Sequence, residues 1–247
     1  MATFSADDIV HLWEVGRQQH LLDRALSILA CACPDMGRER LAALTIGQRD
    51  ALLFELREQT FGHELAGLVE CPTCSAHLEF SLPAADWRAL TESQSTDSVH
   101  SFDVVQERLK TTFRLPDSRD LTFVTVSGTP ETSRDLLVRR CLIEASIDGK
   151  PVSTSELPDA MVALVVERMA ECEPIADIQL NLSCPSCNAG WQQSFDIVSF
   201  FWTEITALAK RLLREVHTLA LAYGWREADI LSMSPSRRNN YLEMLGG

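Results

Sequence analysis

The chain has 247 residues, 46% of them hydrophobic and 23% charged, so it can bury a core without covalent staples and has the composition of an ordinary soluble protein. Its formal charge of −13 argues against nucleic acid as a partner, because phosphate binding needs a basic field. With 11 glycines and no GxGxxG or GxxxxGKS/T motif, it does not read as a phosphate-cradling enzyme.

The opening MATFSADDIVHLWEV lacks the basic and apolar regions of a secretory leader, and no apolar run approaches the ~18 residues of a membrane span. A cytoplasmic chain with reduced thiols is expected. Ser5 is placed to cap a helix with Ile9, Leu12 and Trp13 on one face. LLDRALSILA predicts a second helix, stopped by Pro34. Thr45 and Gln48 form a T-x-x-Q capping box for a third, which Gly62 ends.

The period then changes to two. Leu78, Phe80 and Leu82 alternate with polar residues, as do Ile178, Leu180 and Leu182 much later, so each marks a half-buried strand. Between them, residues 90–98 read as a linker. Short strands are expected at 102–105, 112–115 and 121–126. Thr129 and Pro130 read as cap and first turn of a helix SRDLLVRRCLIEA, and Pro158 opens another, DAMVALVVERMAE. The longest helix is expected from about Val198 to Tyr223, carrying Phe201, Ile205, Leu208, Leu212, Val216, Leu219 and Tyr223 at three- and four-residue spacing, with Gly224 as its stop. Two short helical segments follow, the last capped by Ser234 with Pro235 in its first turn.

Eight cysteines are present. CPTC at Cys71–Cys74 and CPSC at Cys184–Cys187 each sit at the turn of a strand hairpin. A redox CPxC needs its first thiol at a helix N-terminus, and neither motif runs into a helix. Two such knuckles supply the four thiolates of a tetrahedral zinc site, Cys71, Cys74, Cys184 and Cys187. Because 109 residues separate the pairs, where zinc ribbons usually have about 15–20, two separate half-sites or an empty remnant stand as alternatives. A four-thiolate site leaves no open position, so the zinc is expected to be structural. Cys31, Cys33, Cys141 and Cys172 read as inert helix residues.

No catalytic pattern is visible, and neither an enzymatic activity nor a small-molecule substrate is expected. The tail WREADILSMSPSRRNNYLEML superficially resembles a helix-turn-helix, but few arginines on an acidic chain make poor DNA readers. From Ile205 onward six Lys/Arg meet four Asp/Glu, leaving −15 on residues 1–204. The tail therefore reads either as a lid on the long helix or as a docking face for a protein partner, with Trp225, Arg237, Arg238, Tyr241 and Leu245 as the candidate contacts.

Taken together, the expected architecture is α+β and predominantly helical, with a split zinc ribbon of two β-hairpin knuckles and an inserted α/β unit. Its segments are N-terminal helices (1–66), first knuckle (67–87), insert (88–175), second knuckle (176–197), and long helix with helical tail (198–247).

LWEVGRQQHLLDRALSILA, TIGQRDALLFELREQTFG, LVECPTCSAHLEFSLPAAD, FRLPDSRDL, CPSCNAGWQQSFDIVSFFWTEI and VHTLALAYGWREADILSMSPSRRNNYLEML together resemble the T-even phage baseplate hub assembly chaperone family, in the version encoded in phage-tail-like contractile injection clusters. The resemblance implies a non-enzymatic assembly role, with baseplate, hub or spike proteins of a contractile tail as partners and no membrane or nucleic acid. A permanent baseplate component is the runner-up, and a zinc-ribbon nucleic-acid binder is the alternative of another class.

Overall fold

Ser5 opens the first helix through a reciprocal capping box. Its Oγ accepts the Asp8 N–H at 3.1 Å, and its own N–H donates to Asp8 Oδ2 at 2.9 Å. The computed structural model describes residues 3–92, 101–127 and 132–246. Its helices are α1 Ala6–Gly16, α2 Leu21–Ala32, α3 Arg38–Ala42, α4 Ile46–Phe61, α5 Ala84–Glu92, α6 Ser118–Ser127, α7 Ser133–Cys141, α8 Asp159–Cys172, α9 Ile197–Tyr223, α10 Glu227–Leu231 and α11 Pro235–Gly246. The strands are β1 Glu64–Glu70, β2 His77–Pro83, β3 Phe102–Gln106, β4 Leu109–Phe113, β5 Leu142–Ile147, β6 Lys150–Val152, β7 Ile178–Ser183 and β8 Gly190–Phe195. Helix and sheet are thus mixed, and the sheets are small and antiparallel. No helix among the described residues is long and apolar enough to cross a membrane.

The chain divides into two units, and α4 contributes to both. One comprises Met1–Arg38, Leu53–Thr60 and Ile197–Gly247. Here α9 buries Phe201, Ile205, Ala209, Leu212 and Leu219 along one face, against α1, α2, α10 and α11. Arg57 of α4 reaches the same helix, with its Nη2 2.6 Å from Glu204 Oε1. Where Trp202 crosses α1, only glycine fits. A Cβ on Gly16 would lie 2.3 Å from the indole, while Arg24 covers that ring at 4.7 Å and donates to the Gly16 carbonyl at 2.9 Å.

The other unit comprises Glu39–Leu52 and Phe61–Asp196. Its four-stranded sheet has the order β3-β4-β5-β6. Phe113, Val138 and Val165 close one core beneath it, and Ala145, Leu157 and Met161 a second. The two remaining sheets are the hairpins β1-β2 and β7-β8.

Two sequence expectations change here. Residues 121–126, expected as a short strand, lie in α6 although Thr122, Val124, Thr125 and Val126 are β-branched. Asp117 Oδ1 accepts the N–H groups of Arg119 and Asp120 at 2.8 and 3.1 Å and so starts the helix. Asp120, itself buried, is clamped by Arg114 and Arg140 at 2.5 and 2.7 Å. The helix SRDLLVRRCLIEA stops at Cys141, and its last four residues become β5, in which Glu144 and Ala145 pair with Thr112 and Thr111. Partner strand β4 decides this, because the local pattern of LIEA suits either state. The Thr129–Pro130 cap and residues 93–98 of the expected linker lie outside the described residues, while residues 90–92 finish α5.

Candidate metal centre

Each hairpin turns through its cysteine motif in the same way. The Cys71 N–H donates to the Ala76 carbonyl and the Ser75 N–H to the Cys71 carbonyl, both at 2.9 Å. In the second hairpin, Cys184 pairs with Ala189 at 2.9 Å and Asn188 with Cys184 at 2.8 Å. Pro72 and Pro185 preset the first bend. Ser75 and Asn188 both take φ of 58°, the left-handed conformation that short polar side chains tolerate.

These turns aim four sulfurs at one point. The Cys71 and Cys187 Sγ atoms are 3.7 Å apart and those of Cys74 and Cys184 3.6 Å. All four ligand atoms lie within 4.8 Å of one another. A tetrahedral site with metal–sulfur bonds of about 2.3 Å has sulfur–sulfur edges of about 3.8 Å, so the spacing suits one four-coordinate ion. Both short edges run between hairpins, and 109 intervening residues do not keep the pairs apart. The hairpins also touch through their strands, where the Phe80 ring of β2 meets Phe195 of β8 edge-on, with centroids 6.3 Å apart. Cys71 and Cys184 are buried, and Cys74 and Cys187 are exposed.

The four thiols do not hold protons equally. Burial raises Cys71, but the Thr73 and Cys74 N–H groups outweigh it and hold the thiol low. Burial likewise opposes the fall at Cys184, which the N–H groups of Cys187 and Ser186 and the Cys74 thiol bring to about 6. The Ala76 N–H pulls Cys74 down, yet neighbouring Cys187 and Cys184 push it up to about 12. Cys187 is also raised: the Ala189 N–H and the Cys74 thiol lower it, and Cys184 and Cys71 more than offset them. A divalent cation would bind these sulfurs as thiolates, displacing the protons they carry, and would occupy a donor set with no vacant position.

The other cysteines have no such company. Burial and the Asp120 carboxylate push Cys141 up to about 12, and burial with nearby Asp8 raises Cys31. Burial also raises Cys172. Thiols held protonated in this way are poor nucleophiles. Among the described residues, the four-cysteine group is the one that could hold a metal through three or more such ligands.

The five tail candidates separate into two groups. Trp225 stacks on Tyr223 with centroids 4.5 Å apart, and Tyr241 meets Trp225 edge-on at 4.8 Å. Arg237 lies over the Tyr241 ring at 5.8 Å, and Leu245 is 41% exposed beside the more exposed Met244. Arg238, by contrast, is buried. It donates to Glu215 Oε2 at 2.9 Å and to the Met233 carbonyl at 2.5 Å, so its guanidinium is used within the fold. Sequence reasoning placed Tyr223 on the apolar stripe of α9 and missed that its position at the helix exit makes it Trp225's neighbour. It also overlooked Glu173, which accepts from Thr45 Oγ1 and, at 3.0 Å, from the Gly47 N–H, capping α4 from 126 residues away. No local signal marks that partnership.

A family model described as T4 bacteriophage base plate protein matches residues 16–202, a span that contains all four clustered cysteines. No curated protein and no solved structure matches the chain.

Proposed function

The chain belongs to the T4 bacteriophage base plate protein family, and from that premise we propose that it is a non-enzymatic assembly factor for the baseplate or hub of a contractile, phage-tail-like injection system. One structural zinc, held by Cys71, Cys74, Cys184 and Cys187, staples the ends of the insert. The observation that carries the reading is the closed donor set: four sulfurs at tetrahedral spacing, from two distant hairpins of a baseplate-family chain. Such a centre leaves no position for substrate and favours scaffolding over catalysis. Exposed Arg237, Leu245 and the aromatic group Trp225–Tyr241 supply a candidate face for a hub, spike or baseplate client. Arg238 supports that face from within.

The family's description as a base plate protein equally supports a chain that stays in the finished particle. Pull-down from lysate beside mass spectrometry of purified particles separates the two readings. The assembly factor is recovered with baseplate components from lysate and is absent from finished particles. Stoichiometric presence in particles would overturn the chaperone reading, and failure to recover any tail component would overturn both.

A further inference from the structure

We infer that the solvent face of α9 is a docking site for an acidic amphipathic helix of another protein chain. Opposite the buried stripe of this 27-residue helix, Lys210, Arg214, His217 and Leu221 recur at i, i+4, i+7 and i+11. At 100° per residue those positions share one narrow face. All four are exposed, and Leu221, a large apolar side chain, is 80% exposed.

The stripe's charge is uncompensated. The two acids of α9 are both committed to arginines of the same unit: Glu204 to Arg57 at 2.6 Å, and Glu215 to Arg238 at 2.9 Å. Arg211, at the stripe's edge, comes only within 3.6 Å of Glu215 and keeps 66% of its side chain exposed. Lys210 and Arg214 make no ion pair among the described residues. Arg214 donates instead to the Lys210 carbonyl at 3.2 Å.

Charge complementarity selects the occupant. On a chain of net −13, this cluster of exposed cations without ion pairs is a place that attracts an acidic segment. A uniform polyanion such as nucleic acid spans more than the stripe, whereas a short acidic helix matches its length. From Lys210 to Leu221 the face is about 16 Å long, three helical turns, and Leu221 at its end calls for an apolar counterpart. A helix with carboxylates on one edge and aliphatic side chains beside them satisfies both features. The inference goes beyond the assembly role and holds whether the chain leaves the particle or remains in it.

The test uses the full-length protein and a fluorescein-labelled helical peptide of about 18 residues, with glutamates along one edge and leucines at i, i+3, i+4 and i+7. Anisotropy should report saturable binding with Kd on the order of 10 µM. Affinity should fall about tenfold between roughly 50 and 300 mM salt, and about tenfold in Lys210→Glu/Arg214→Glu. Leu221→Ser should weaken binding about threefold. Lys210→Gln/Arg214→Gln should give an intermediate loss with an unchanged melting temperature, so that a folding defect in the charge-reversed protein cannot mimic the result. Unchanged affinity in the charge variants, or no saturation at about 100 µM peptide, overturns the inference. So does equal binding of the Lys-for-Glu peptide or of polyglutamate, and so does tighter binding of duplex DNA. A Leu221-dependent dimer that excludes the peptide would assign the face to a second copy of this chain instead.

Discussion

Arg237 and Arg238 are adjacent in sequence and should behave oppositely on mutation. Arg238→Ala removes a side chain of 5% exposure and leaves the Glu215 carboxylate, 13% exposed, without its close partner. It also strips the Met233 carbonyl of a 2.5 Å donor. Breaking a buried ion pair from one side costs about 3–5 kcal/mol. Glu215 retains some water, and Arg211 can approach from 3.6 Å, which reduces the expected loss to about 2–3 kcal/mol. In a chain of this length each kcal/mol moves Tm by about 2–4 °C, so the fall should be about 4–12 °C by circular dichroism. Arg237→Ala, which loses only a ring contact at 5.8 Å, should stay within about 2 °C. Replacing both partners, Arg238→Met/Glu215→Met, should return most of the stability, because two apolar side chains leave no unpaired charge. If Arg238→Ala kept its Tm yet lost client pull-down, Arg238 would belong to the interface and the structural account of α11 would be wrong.

The metal centre should bind one zinc per chain by elemental analysis of freshly reduced protein, and Cys71→Ser/Cys184→Ser should abolish it; full occupancy in that variant would refute the site. Cys31→Ser, which is not a member of the four-cysteine group, should keep the metal. At Glu173, burial raises the carboxyl pKa against the opposing Thr45 and Gly47 hydrogen bonds. A folded-state pKa above the unfolded value means that its contribution is fully present below the unfolded pKa, near 4.3, and is lost as pH rises through the folded value. Glu173→Gln, which can still accept from Gly47 and donate to Thr45, should therefore gain stability relative to wild type from pH 4 to pH 7; a pH-independent difference in denaturation midpoint would contradict this. Arg237→Glu should preserve Tm and zinc while reducing recovery of baseplate components from lysate, and normal recovery would remove Arg237 from the docking face.

Features written in neighbouring residues were legible without the fold. The alternation through Leu78, Phe80 and Leu82, the Thr45–Gln48 box, and the apolar stripe that ends at Gly224 each specify local structure, because the interactions that decide them span a few residues. The cysteine motifs likewise announced two matching turns, each presenting a pair of sulfurs. Local pattern could not establish that the turns meet, since closing the intervening 109 residues is decided by the packing of everything between them. The same division explains the misreadings. LTFVTV has a strand's residue types but forms α6, whose first turn is held by Asp120 clamped between Arg114 and Arg140, and LIEA left the helical pattern when β4 offered it a ladder. Arg237 and Arg238 differ by one position and no chemistry, yet a 100° step around α11 sends one to the surface and the other to Glu215. Which arginine is buried, and which carboxylate caps α4, depends on chain segments too distant for any periodicity to register.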